Sequence, residues 1–491
     1  MSSGEDRGAP LRWWAVLLGP ALFAITMVTP APDGFGPMAW PALGLAAWMA
    51  CWWALEAVPL SATALLPLVI VPLLGFESPR EILAEYANPT IFLILGGFLI
   101  AIAMERCNLH RRIAYNIVAR VGDDPARLVL GVMIATALLS MWVSNTSTAL
   151  MMLPVATSIA ALVTSGASGS DSTSVGNFRT AITLSVAYAA TIGGLGTLIG
   201  TPTNALVQAF AARNLGIDLR FVDWLWFGLP TVFLMLPLTW WLLVRVALPF
   251  RLSSVRATSD LIQDALQGLG PMSSAERRVA LVAGAAALAW IGRPLLNELT
   301  WLADLNDTVI AVVAGLSLFL IPTDRGSRHA LLDASSFARI PWDVLLLFGG
   351  GLALAAAIQA STLSDTIGAS LSVFGTWPLF ALVALVVTTL ILWTELNSNV
   401  ATAATFLPVL AALAATTDYA ALTLLAPAAM AASAAFMMPV GTPANAIVFA
   451  TGQVSLRQMI LAGALINVMA IVVITIVGYY TVPFITPGSI P

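Results

Sequence analysis

The sequence predicts an all-α polytopic membrane protein made of two inverted repeats, with about eleven transmembrane helices and two re-entrant hairpins. Three observations carry this. The 491 residues are 59% hydrophobic and only 9% charged, with a mean hydropathy of +0.92. That is too apolar for a soluble globule and long enough to cross a bilayer many times. Two short polar islands also recur. Ser140-Met-Trp-Val-Ser144-Asn145-Thr146-Ser147-Thr148 aligns with Thr394-Glu-Leu-Asn397-Ser398-Asn399-Val400-Ala401-Thr402, and both lead into Leu-Pro-Val. Gly200-Thr201-Pro202-Thr203-Asn204 is echoed by Gly441-Thr442-Pro443-Ala444-Asn445. Finally, basic charge is unevenly distributed along the chain.

In chain order, the polar start Met1 to Arg12 precedes an apolar run from Trp13 to Thr29. No small-residue cleavage pattern follows it, so the run reads as a retained first helix. Further spans are expected at 39–54, 60–74 and 90–104. The turn-rich connections near Pro30 and Phe76 carry little basic charge and are expected outside. Arg106 to Arg127 is arginine-rich and reads as cytoplasmic or interfacial. Two arms, each short for an independent span, flank Ser144-Asn145-Thr146 as a hairpin, and a polar loop runs from Thr164 to Asn177. Arg179 precedes a long helix interrupted at Gly200-Thr-Pro, and a span follows at 224–248. The polar stretch 251–278 reads as an interfacial helix and linker between the halves. The second half repeats the pattern: spans at 279–291, 308–321 and 344–359, a hairpin around Ser398-Asn399-Val400, a broken helix at Gly441-Thr-Pro and a last span at 459–482.

Charge sets the orientation. There is no lysine, and this topology places Arg80, Arg213, Arg220 and Arg293 outside and the other seventeen arginines inside. That obeys the positive-inside bias. The N-terminus is expected in the cytoplasm and the tail Thr486 to Pro491 outside. The first hairpin then enters from the cytoplasm and the second from the opposite face.

In lipid, unpaired backbone amides cost several kcal/mol, roughly, so helix breaks persist only where they line a cavity. Paired breaks in two halves point to a transport site at the repeat interface. An Asn side chain offers a carbonyl oxygen and an amide donor, and Ser and Thr hydroxyls both donate and accept. Asn145 and Asn399 can therefore present oxygen to a cation and NH2 to an anion, with hairpin-tip helix N-termini adding positive partial charge. Neutral oxygen donors suit sodium better than calcium or magnesium. No arginine lies in either island, so dipoles, hydroxyls and nearby sodium ions would hold the anion.

These motifs, with Trp52-Trp53-Ala-Leu-Glu56-Ala-Val-Pro59-Leu-Ser61, Gly96-Gly97-Phe, His110-Arg111-Arg112, Trp342-Asp343-Val-Leu and Phe348-Gly349-Gly350-Gly351, make nearly the whole chain resemble the divalent-anion/sodium symporter family. That family includes dicarboxylate, citrate and sulfate transporters. The resemblance implies one sodium site from Ser140, Ser144, Asn145 and the Gly200 backbone, and a second from Thr394, Asn397, Asn399 and the Gly441 backbone. It places the anion among Ser144, Asn145, Thr146, Ser398 and Asn399, with Thr201, Pro202, Thr442 and Pro443 closing the pocket. Val400 stands where the family has Thr, which makes one end of the pocket more apolar.

The resemblance further implies a homodimer in the cytoplasmic membrane, surrounded by lipid, whose transport parts (123–250 and 371–491) slide past scaffold parts (1–122 and 279–370). The cargo would be sodium ions with a small dianion, most simply a C4-dicarboxylate such as succinate, malate or fumarate. A sodium-independent exchanger and a sulfate or tricarboxylate symporter are the alternatives. No nucleic-acid partner is expected. Neither Gly-x-Ser-x-Gly nor His-Glu-x-x-His occurs, which argues against an enzyme.

Other polar residues have plainer readings. Gly194-Leu-Gly196-Thr-Leu-Ile-Gly200 and Phe348-Gly-Gly-Gly351 are expected to serve helix packing. Glu56 and Glu395 are read as structural, His110 and His329 as surface residues, Cys51 and Cys107 as isolated thiols, and the Trp-rich stretches as interfacial anchors.

Overall fold

The computed structural model describes residues 12–165, 171–252 and 263–484. The tail Thr486–Pro491 and nearly all of the N-terminal start lie outside the described residues. Among those described there is no β-strand, only one isolated antiparallel bridge between Pro322 and Ala330.

The first half comprises α1 (Trp13–Val28), α2 (Ala39–Leu55), α3 (Leu60–Thr63), α4 (Leu66–Leu74), α5 (Pro79–Glu85), α6 (Pro89–Arg106), α7 (Leu109–Ala119), α8 (Pro125–Ser140), α9 (Asn145–Ser165), α10 (Ser172–Gly194), α11 (Pro202–Leu215) and α12 (Phe221–Trp241). The second comprises α13 (Ser274–Leu296), α14 (Asp307–Leu320), α15 (Trp342–Ala360), α16 (Leu363–Leu371), α17 (Leu379–Thr394), α18 (Asn399–Ala414), α19 (Leu422–Ser433), α20 (Pro443–Phe449) and α21 (Leu456–Thr481).

Local chemistry fixes many of the boundaries. Ser78 and Glu81 form a reciprocal capping box at α5, and Ser273 with Glu276 does the same at α13. Each pairs two amides that the helix start would otherwise leave open. Pro occupies the first turn of α5, α6, α8, α11 and α20, where its missing N–H costs nothing. The repeat is visible in the backbone too. Asn108 and Thr362 enter α7 and α16 in the same left-handed conformation, φ +59° and +58°.

Several expectations change in detail. The run 60–74 is two short helices rather than one. Helix α10 begins inside the expected polar loop because Asp171 accepts from the Thr173 amide at 3.2 Å. Arm α9 has 21 residues, long enough at about 1.5 Å each to cross a bilayer. Among the described residues six helical stretches have the length and apolarity of a span. A seventh qualifies if Leu363–Phe374 and Leu379–Thr394, bent by 116° at their break, count as one. The remaining apolar helices, including α8 and α18, run 10 to 17 residues.

Packing divides outer from inner helices. Leu281, Leu288 and Leu295 form one stripe of α13 and are 72%, 73% and 71% exposed, the pattern of a lipid-facing surface. By contrast α10 is fully buried from Thr180 to Gly194. Gly193 lets its backbone rest directly on that of Ala137 in α8, where any Cβ would collide. The small residue serves close approach, as is common between membrane helices.

Candidate functional site

The two hairpin tips and the two broken helices meet around one cavity of about 770 Å³. Its wall includes Ser144, Asn145 and Thr146 from the first hairpin and Ser398, Asn399 and Val400 from the second. Gly200, Thr201, Pro202, Gly441, Thr442 and Pro443 complete it at the breaks. Ser140 and Thr394 stand one layer behind, fully buried. Asn397 does not line the cavity; its Nδ2 donates to the Trp393 carbonyl at 3.1 Å.

Each break is held open by an Asn four residues after its glycine. Asn204 Nδ2 donates to the carbonyls of Gly194 at 3.1 Å and Thr197 at 2.8 Å. Asn445 Nδ2 donates to Ala435 at 3.1 Å and Met438 at 3.0 Å, the same offsets of ten and seven residues. These amides satisfy carbonyls that the interrupted helix no longer pairs. Thr201 and Thr442 then take matching extended conformations, φ −141° in both, and start α11 and α20 toward the cavity.

The tips repeat one contact. Ser140 Oγ donates to Asn145 Oδ1 at 2.6 Å, and Thr394 Oγ1 lies 2.9 Å from Asn399 Oδ1. The second is more than a hydrogen bond. Thr394 Oγ1 already donates to the Ala432 carbonyl at 2.6 Å. In this orientation the Asn399 oxygen meets only acceptors, with the Gly441 and Ala432 carbonyls at 3.0 and 3.2 Å; turned over, its NH2 donates to all three. Turned over, the amide satisfies the cluster by itself; with its oxygen inward, four uncharged oxygens converge, the donor chemistry of an alkali-cation site. Among the described residues no group of three His, Cys, Asp or Glu side chains is placed to hold a metal ion.

Helices α9 and α18 begin at Asn145 and Asn399, so both N-termini open on the cavity. Their unpaired amides and dipoles favour negative charge there. Ser144 Oγ accepts from the Ser147 amide at 3.2 Å, whereas Ser398 makes no such cap. Val400 lines the second tip with methyl groups.

Sequence reasoning read Glu395 as structural without naming its partners. Glu395 is 4% exposed and takes four donors: the amides of Phe436, Met437 and Met438 and Nδ2 of Asn467, at 2.7 to 2.9 Å. It anchors the chain between α19 and Gly441. The equivalent position in the first half is Met141, whose carbonyl accepts from Thr197 Oγ1 at 2.5 Å. Ser433 was invisible, a lone hydroxyl in an alanine-rich run. Glu56, Glu105, Arg339 and Asp343 also line the cavity. Arg339 pairs with Glu105 at 2.5 Å and is the one basic residue in this wall among those described.

A cavity walled by helix breaks inside an all-helical, lipid-exposed body belongs to a membrane transporter, not an enzyme. The chain belongs to the family described as the sodium:sulfate symporter transmembrane region, which matches residues 11–485. It is 41% identical over 473 residues to a sodium-dependent dicarboxylate transporter, SdcS, of Staphylococcus saprophyticus, covering 95% of this chain and 91% of the relative. A protein of the same name from Staphylococcus aureus strain USA300 is 39% identical over 474 residues, covering 96% and 91%. Among solved structures, the YdaH transporter of Alcanivorax borkumensis superposes with a TM-score of 0.53 at 16% identity, over 88% of this chain and 97% of that one. It supports the fold alone.

Proposed function

We propose that the protein carries a small C4-dicarboxylate together with sodium ions across the cytoplasmic membrane. The observation that carries this reading is the convergence of neutral oxygens around Asn399 beside a tip whose helix N-terminus faces the same cavity. The names of the two staphylococcal relatives support the choice of sodium and of a dicarboxylate.

In this reading each Asn is shared. The oxygens of Asn145 and Asn399 face a sodium ion, with Ser140, Ser144 and the Gly200 carbonyl on one side and Thr394 and the Gly441 carbonyl on the other. Asn397, bonded away from the cavity, is left out of the second set. The NH2 groups then turn toward the dianion, which the two helix N-termini also attract. Each bound species lowers the cost of the other, a reciprocal coupling. Carrying more than two sodium ions per dianion would move net positive charge inward, so the membrane potential would assist uptake.

The hairpins and broken helices act as the moving part against α1 to α7 and α13 to α16, in a homodimer with its N-terminus in the cytoplasm. Glu105 in the cavity wall lies next to the arginine-rich stretch expected in the cytoplasm, which supports access to the cavity from that side. The deciding experiment is uptake of labelled succinate by purified protein in liposomes under sodium, lithium, potassium or proton gradients. Sodium-driven uptake is expected. Counterflow that needs only internal dicarboxylate, with no response to sodium, would overturn the symport reading.

A further inference from the structure

The two oxygen clusters come from different halves of the chain, and one side chain joins them. Ser433 ends α19 and is fully buried. Its Oγ lies 2.6 Å from Thr203 Oγ1 and 3.1 Å from Thr201 Oγ1, so three hydroxyls share protons across a gap of more than two hundred residues. Thr201 directly follows Gly200 and starts α11. On its other side, the carbonyl of Ser433 lies 3.4 Å from Asn399 Nδ2, and that of Ala432 accepts from Thr394. A single residue therefore touches the Gly200 turn through its side chain and the Asn399 cluster through its backbone.

This link has no mirror image. Aligning Gly200 with Gly441 puts Ile192 at the position of Ser433 and Ala444 at that of Thr203. Thr442 Oγ1 instead accepts from the Asn445 amide of its own helix at 3.1 Å. The first break leans on the second half, while the second break is closed on itself.

We propose that Ser433 is a positioning residue that couples the two cation clusters. The inference rests on reading both as sodium sites. A cation drawn to Asn399 fixes the Ala432 and Ser433 carbonyls, and with them the end of α19. The Ser433 hydroxyl then holds Thr201 and Thr203, and through them the Gly200 carbonyl, at one spacing. Filling either cluster thus prepares the other, and the coupling is the same in both directions. Buried hydroxyl networks of this kind are worth more as a unit than pair by pair.

The test is the sodium dependence of succinate uptake by the full-length protein in liposomes. The unmodified protein should respond cooperatively to sodium. Ser433→Ala should bring the Hill coefficient down toward one and raise half-saturating sodium by roughly fivefold, at the lower end of typical coupling between sites. The KM for succinate at saturating sodium should stay nearly constant, which a general loosening of the site would not allow. Thr203→Val removes the other end of the shortest bond and should act alike, so it decides the matter if Ser433→Ala fails to fold. The double variant should be no worse than either single change, because both delete one interaction. An unchanged Hill coefficient in a folded variant, or additive losses in the double, overturns the coupling role. Sodium-independent uptake by the unmodified protein would instead remove the sodium reading, and this inference with it.

Discussion

The two helix breaks are built to one plan and held by different means. Both use an Asn to bind carbonyls ten and seven residues back, and both launch a short helix from an extended Thr. The first, from Leu195 to Thr201, is a tight turn tied by Thr197 to the Met141 carbonyl. The second, from Ala434 to Thr442, is drawn around the Glu395 carboxylate. The shared parts are those any open turn in lipid needs, because its backbone must find partners inside the protein. The unshared parts place a fixed carboxylate behind only one of two otherwise similar sites.

Substitutions can pull that comparison apart. The largest effect is expected from putting the same residue at matched positions. Glu395→Leu leaves four donors unpaired, two of them fully buried at roughly 1–3 kcal/mol each, whereas Met141→Leu is a near-isosteric swap costing less than about 1.5 kcal/mol. Thermal unfolding in detergent should show a marked loss for the first and little for the second; equal curves would mean the carboxylate does not hold the turn. Next come Asn204→Ala and Asn445→Ala, each stripping the amide that bridges two carbonyls. Both should lower stability by about 1–3 kcal/mol, and a large gap between them in chemical denaturation would show that the two clamps are not equivalent.

Glycine substitutions sharpen the asymmetry. A Cβ on Gly200 would sit 2.5 Å from the Gly194 carbonyl oxygen and 3.0 Å from its Cα, neither of which can yield. On Gly441 it would meet the Ala435 methyl at 2.9 Å and the Glu395 carboxylate at 3.3 Å. Overpacking of about 1–3 kcal/mol predicts that Gly200→Ala loses about tenfold or more in succinate uptake. Gly441→Ala should retain a larger share, and the reverse order would contradict the geometry. The smallest change is Val400→Thr, which returns a hydroxyl to the second tip. A shift of about 1 kcal/mol in relative KM between succinate and sulfate is expected, and identical selectivity would place that side chain outside the recognition surface.

Much of this was legible from the chain. Duplicated Ser-Asn and Gly-Thr-Pro-x-Asn strings identified both halves and the residues that gather at the cavity, because polar islands in an apolar run are conspicuous. Most long helices start and stop within a few residues of the apolar runs. Helix α5 was missed although Ser78 and Glu81 spell its capping box, since a seven-residue helix between spans leaves no hydropathy signal. The split of 60–74 was missed because every residue around it is apolar or small. Glu395 was rightly read as structural, yet its partners lie more than forty residues away and could not be named. Ser433 was beyond reach for the same reason: its hydroxyl is unremarkable until Thr203, 230 residues earlier, is brought beside it.

The seat of Gly193 against Ala137 has a mechanical consequence. Where two helices touch main chain to main chain, no side-chain rotamer remains as a soft bearing between them, and they behave as a single girder. Arm α8 and helix α10 therefore hold Asn145 and the Gly200 turn at one spacing. In the proposed transport cycle, the cradle would be shaped once, in folding, and would not need rebuilding on each crossing.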